Sequence, residues 1–452
     1  MEKNLTTGGV FKNIVYFSLP YLLSYFLQTL YGMADLFIIG QFNGVESTTA
    51  VSVGSQVMHM LTVMIVGLAM GSTVMIGLSI GAGDKRRASA EVGNTVTMFM
   101  ALSLVITAFL LVCVEPIVSL MSTPLDAAPG TASYLTICFI GVPFITAYNV
   151  ISSVFRATGD SKSPMYFVAV ACAANIAFDY LFIGGLGLGA AGAALGTTLA
   201  QTLSVIVPLA FVRRMKTGLH VSPKELRPQK KILRKILRLG VPVALQDGFI
   251  QIAFIVITVI ANRRGLNDAA AVGIVEKMIC LLFLVPSSML STVSVVSSQN
   301  FGAGKPERAR LALWYAILID VSFGAAAAII MQFLAEPAVA LFSDSAAVVR
   351  LGGQYLRGYV WDCLLAGVHF CFSGYFCACG LPGVSFLHNM LSIVCARIPL
   401  AYLASKYFPD TLFPMGLAAP AGSLLSIAIC AAALVIVSGR PEKPQAPSEG
   451  GE

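Results

Sequence analysis

The sequence is short of charge. Only 11% of its 452 residues are Asp, Glu, Lys or Arg, against roughly 25% in a soluble domain. So little polar surface cannot cover a water-exposed globule of this length, which excludes a soluble fold. Histidine and tryptophan are scarce as well, at 4 and 2 residues. There is no H-E-x-x-H zinc motif and no G-x-S-x-G nucleophile elbow in the apolar runs, so nothing supports an intramembrane hydrolase. Strict apolar/polar alternation is missing too, which favours helices over a membrane β-barrel. The ten cysteines fall inside apolar runs (Cys113, Cys172, Cys280 and Cys395 among them), so no disulfide is expected. The C-x-C of Cys377 and Cys379 offers a metal too few ligands.

What is present is apolar: 57% of the chain. Continuous runs of about 20 such residues recur from end to end, each long enough to cross a bilayer as a helix. The first run, Phe11 to Ile39, is too long for a cleavable leader and is expected to stay as a span. The hydropathy pattern predicts an all-α membrane protein with about twelve transmembrane helices, near 11–40, 48–80, 91–114, 131–157, 164–186, 189–212, 232–262, 269–300, 309–334, 347–378, 384–406 and 413–438. Pro20, Pro143, Pro242 and Pro286 fall within spans and mark expected kinks.

Of the 29 lysines and arginines, 22 fall in the N-terminus, the loops after even-numbered spans, the central linker and the tail. The positive-inside rule therefore predicts both termini in the cytoplasm of a multi-pass protein of the inner (cytoplasmic) membrane. The net charge of +7 is loop charge facing the lipid bilayer, and no nucleic-acid partner is needed to explain it. Lys230–Gly240, KKILRKILRLG, is basic and amphipathic, and its pattern suits a helix lying on anionic headgroups before span seven.

The chain repeats itself once. Gly81-Ala-Gly-Asp answers Gly302-Ala-Gly-Lys, Glu115-Pro116 answers Glu336-Pro337, Tyr134-Leu135 answers Tyr355-Leu356, and Phe155 to Gly159 answers Phe376 to Gly380, all at an offset of 221. Pro20 answers Pro242 at 222. Six spans per copy means that both copies insert the same way up, as parallel repeats. The expected organisation is a first lobe at 1–212, a basic cytoplasmic linker at 213–231, a second lobe at 232–438 and a disordered cytoplasmic tail at 439–452.

An ionisable side chain inside a span is a functional candidate, because burying it in hydrocarbon is costly. In the first lobe Tyr31 and Asp35 share a face with Gln28, Asn175 and Asp179 are one turn apart, and Asn149 lines span four beside Ser152 and Ser153. These groups suit a proton network or a hard cation, with Na⁺ at Asp35, Asn175 and Asp179. The second lobe offers Gln246 and Asp247 in span seven, Glu276 and Lys277 in span eight, and Asp362 with His369 in span ten, as a substrate or ion site. Lys277 or Arg397 is expected to neutralise one of these acids. His59, Asp320 and His388 read as packing or edge residues. The repeat duplicates the scaffold but not the charges. Asp35 and Asp179 map to Val256 and Leu400, and Asp247 and Asp362 map to Phe26 and Gly141.

Together, Leu19-Pro20…Gln28…Asp35…Gly40, the paired G-A-G turns, Arg156-Ala-x-Gly-Asp160 and Gln299-Asn-x-Gly-Ala-Gly304 resemble the multidrug and toxic compound extrusion (MATE) family over about residues 10–438. The resemblance implies a V-shaped two-lobe transporter that acts as a monomer, without a cofactor, and exports organic cations in exchange for H⁺ or Na⁺ by alternating access. It implies an ion-coupling site of Tyr31, Asp35, Asn149, Asn175 and Asp179, with Thr198 as a further member. It also points to Asp247 and Asp362, on the helices where other members carry acids. A flippase of related architecture for lipid-linked precursors is the rival. Its pyrophosphate cargo would need more cations in the cleft than Lys277 and Arg397.

Overall fold

The computed structural model describes residues 4–212 and 222–438. The expected tail at 439–452 and the linker portion 213–221 lie outside the described residues. Twelve apolar spans are present among the described residues. They are span 1 (Val10–Phe42), span 2 (Val45–Gly81), span 3 (Lys85–Val112), span 4 (Ala128–Ile140 and Val142–Ala157), span 5 (Lys162–Gly185), span 6 (Gly189–Ala210), span 7 (Lys230–Asn262), span 8 (Leu266–Gly302), span 9 (Pro306–Ala340), span 10 (Ala346–Ala378), span 11 (Pro382–Tyr407) and span 12 (Phe413–Ile436). Helices are the form such runs must take, because each satisfies its backbone hydrogen bonds internally where water cannot. The two segments of span 4 meet at a 47° bend just before Pro143. That ring removes a donor and crowds the carbonyl four residues earlier.

Several spans run past the apolar stretch that announces them. Span 3 begins at Lys85, not 91, because the Asp84 side chain accepts a hydrogen bond from Arg87 N at 2.9 Å and caps the helix. Span 9 begins with Pro306, whose missing N–H costs nothing in the first turn.

Lys230–Gly240 differs from its expected role. It is the opening of span 7, continuous with the rest of that helix. Part of its apolar surface is covered by protein: Ile236 and Leu239 pack with Met70, Met75 and Phe99 of spans 2 and 3, while Leu237 stays exposed. A helical stripe demands an apolar partner, and its periodicity does not distinguish lipid from protein.

The packing divides by depth. At the face opposite the N-terminus, the largest apolar clusters are each private to one half. One joins Ile38, Val51, Tyr134 and Ile183; the other joins Ile260, Val272, Tyr355 and Leu412. Toward the face that carries the N-terminus, clusters mix the halves. Phe17 packs with Val293 and Phe376, and Met75 packs with Ile236 and Val243. The halves are thus sealed at the N-terminal, basic face and separate at the other.

The seal is two-fold. A Cβ at Gly81 would stand 2.0 Å from the carbonyl oxygen of Gln299, and one at Gly302 would stand 2.0 Å from that of Leu78. Both pairs obey the 221-residue offset, so the same contact is made twice with the halves exchanged. The segments before spans 1 and 7 reinforce it. Leu5 is fully buried, its N–H donates to Gln299 Oε1 at 3.3 Å, and its carbonyl accepts from Asn300 Nδ2 at 3.3 Å. Lys305 Nζ donates to Thr6 O at 3.0 Å. Before span 7, Thr97 Oγ1 donates to Leu226 O at 2.7 Å, and Asn94 Oδ1 accepts from Gln229 N at 2.6 Å. Each strap crosses to the opposite half.

Candidate functional site

Asp35 comes from span 1, Asp179 from span 5 and Thr197 from span 6, and all three are buried. Asp179 is the last regular residue before a π-helical turn at Tyr180–Gly185. Such wide turns recur at functional sites. The two carboxyls lie side by side with Asn175 next to them. Thr197 Oγ1 donates to Asp35 Oδ2 at 3.2 Å. Among the described residues, Asp35 Oδ1, both Asp179 oxygens and both amide atoms of Asn175 have no partner in hydrogen-bonding geometry. Tyr31 completes the site, with Gln201 and both acids around its hydroxyl. Gly196 makes room for it, since a Cβ there would stand 2.3 Å from Asp179 Oδ1.

Two neighbouring carboxylates in a low-dielectric site repel each other, and leaving either unpaired is expensive. A shared proton or a bound cation removes both penalties. The unpartnered oxygens and the Asn175 amide are the donor set that such an ion needs.

Two sequence expectations shift. Thr198 does not reach the acids; its Oγ1 is 3.5 Å from the carbonyl of Ile137, and its neighbour Thr197 makes the contact. Asn149 is buried, but its Nδ2 donates to Ile145 O at 2.9 Å within its own helix.

The second half holds a separate cluster. Arg397, at the end of a π-helical turn in span 11, lies 3.9 Å from Asp362 Oδ2 and bonds the Tyr359 hydroxyl. Ser423 of span 12 donates to Asp362 Oδ1, and its Oγ is 3.2 Å from His369 Nε2. Since the Ser423 hydroxyl proton goes to the carboxylate, His369 must donate through Nε2, which leaves Nδ1 as a buried acceptor without a partner. His388 is satisfied on both ring nitrogens by Ser373 at 2.9 Å and Ser426 at 3.2 Å, as befits a packing residue.

Of the remaining candidates of this half, Glu276 stands within electrostatic reach of Arg397, and the others are scattered. Glu276 accepts from Thr258 Oγ1 at 3.2 Å. Gln246 Oε1 accepts from Ser385 Oγ at 2.7 Å. Asp247 faces span 2, where a Cβ on Gly67 would stand 2.7 Å from its Oδ2. Lys277 is exposed.

The family model MatE matches this chain twice, at residues 20–181 and 242–403. The chain belongs to the MATE family of multidrug efflux transporters. From 20 to 242 and from 181 to 403 the step is 222 residues, so the two matches fall on the internal repeat. The probable multidrug resistance proteins YpnP and YoeA of Bacillus subtilis (strain 168) are similar throughout. YpnP is 28% identical over 437 residues, 97% of each chain. YoeA is 26% identical over 426 residues, 93% of this chain and 92% of its own. An FAD transporter of Shewanella oneidensis is 25% identical over 432 residues, 94% of each chain. The fold matches the outward-facing conformation of a multidrug resistance MATE family transporter of the MOP superfamily with a TM-score of 0.89 at 24% identity, covering 96% of this chain and 97% of that one.

Proposed function

We propose that this MATE transporter is an ion-coupled antiporter of the inner membrane that exports organic cations in exchange for H⁺ or Na⁺. The observation that carries the reading is the pair Asp35 and Asp179, buried together with unpartnered oxygens. A proton or Na⁺ entering from the open face neutralises the pair and reshapes the first half. The cargo leaves, and the halves then rock so that the basic face opens. The lysines and arginines on that face support a cytoplasmic assignment for it and for both termini. The division into lobes at 1–212 and 232–438 follows the repeat, and one chain holds both halves of the cleft, so a monomer suffices.

The Arg397–Asp362 pair favours a cationic over an anionic cargo, because Arg397, half-buried beside Asp362, already has its counterion. The same point speaks against a lipid-linked pyrophosphate as cargo.

Inverted vesicles loaded by a fluorescent organic cation, under H⁺ and Na⁺ gradients applied separately, provide the test. Asp35→Asn should abolish gradient-driven accumulation while leaving the protein in the membrane. Undiminished accumulation in the variant would sink the assignment. Uptake of FAD but of no cation would reassign the cargo.

A further inference from the structure

A cavity of about 520 Å³ opens at the basic face between the two halves. Asp84, Arg86, Arg87 and Glu91, at the start of span 3, line one side, and Lys231 and Lys235 of span 7 line the other. The volume lies within the range of small-ligand sites, roughly 300–1,000 Å³.

The charges do not balance. Arg87 Nε is 3.1 Å from Glu91 Oε1, and Asp84 is occupied in capping the Arg87 N–H. Four cations against two carboxylates thus line one hollow; half-buried Lys235 shares Glu91 with Arg87, while Arg86 and Lys231 have no counterion among the described residues. Met75 and Ile232 add an apolar edge. With more cations than carboxylates the excess charges repel one another, and an anion with several acceptor oxygens removes that cost. At the end of two membrane spans, the abundant anion of this kind is a phosphodiester headgroup, and basic pockets between spans are where such groups bind.

We propose that this cavity is a phosphate-recognition site, occupied in the membrane by the headgroup of an anionic phospholipid. Because the two halves each supply one wall, the bound headgroup bridges them and favours the state in which the basic face is closed. The inference needs the membrane fold but not the ion-coupling reading, and its test involves no transport.

The full-length protein in detergent is titrated with phosphatidylglycerol, phosphatidylcholine or inorganic phosphate, following thermal stability and, by native mass spectrometry, retained lipid. Phosphatidylglycerol should raise the melting temperature and remain bound, and phosphatidylcholine should do neither. Arg86→Gln, at an exposed position, should weaken the effect about fivefold, and Lys231→Gln with Lys235→Gln about 25-fold, taking about 1 kcal/mol per basic residue. Lys231→Arg with Lys235→Arg should restore it, which separates lost charge from failed folding. Lys406→Gln, at the opposite face, should change nothing. A response to millimolar inorganic phosphate equal to that of the lipid would support the anion site but overturn its assignment to a headgroup. Equal lipid responses in wild type and both Gln variants would overturn the site altogether.

Discussion

At the residue scale, room is as important as charge. Asp179 can stand beside Asp35 only because position 196 has no side chain; a Cβ there would overlap Oδ1 at 2.3 Å. Gly196→Ala should push the carboxyl out of register at a packing cost of about 1–3 kcal/mol. Gradient-driven efflux should fall at least tenfold with membrane expression retained. Gly273→Ala, where a Cβ meets open space, should leave efflux unchanged. The Asp362–Arg397 pair has the opposite character, because each member neutralises the other. Arg397→Gln strands a carboxylate that is 1% exposed, a loss of about 3–5 kcal/mol that should appear as a lowered melting temperature. Adding Asp362→Asn removes the stranded charge, so the double variant should melt higher than Arg397→Gln alone. A double variant that melts lower still would show that Asp362 has another counterion.

At the element scale, the N-terminal strap is small but wholly engaged. Leu5 is buried between halves, and Gln299, which accepts from Leu5 N, also donates to Ala157 O at 2.8 Å. One glutamine of span 8 therefore ties the strap to span 4. Leu5→Asp places an unpaired charge in that seam and should loosen the basic face. Cys379, half-buried at the basic-face end of span 10, should then react with a maleimide at least fivefold faster. Cys395, midway along span 11 and outside the seam, should keep its rate.

The spans and the repeat are legible in the sequence because both are sums over local pattern: hydropathy over a window, and matches at a fixed offset. Asp35, Asn175 and Asp179 are legible because a charge or amide in an apolar run stands out. Choosing Thr197 over Thr198 is not, since adjacent helical residues point about 100° apart and only the rotation of span 6 in the bundle selects one of them. The glycine before them is the available signal, as a small residue where a helix meets a buried acid. The cluster of Asp362, Arg397 and Ser423 is drawn from three spans, and no spacing along the chain connects them. The fate of Lys230–Gly240 was equally open, because lipid and protein satisfy the same stripe.

At the scale of the whole molecule, the two-fold seal makes a geometric demand. If transport requires the basic face to open, the repeated contacts between spans 2 and 8 must part in every cycle, and a covalent tie across them must stop it. A Cβ on Gly77 would stand 3.3 Å from the Cβ of Ser298, close to the 3.5–4.5 Å that a disulfide spans. In a background with the ten native cysteines replaced, Gly77→Cys with Ser298→Cys should crosslink on mild oxidation. Either single variant should not. The crosslinked protein should lose efflux and regain it on reduction, while its melting temperature rises because the tie holds the state that is already closed. Full efflux by the crosslinked protein would mean that cargo passes without parting spans 2 and 8, and rigid rocking of the halves would have to give way to a path within one of them.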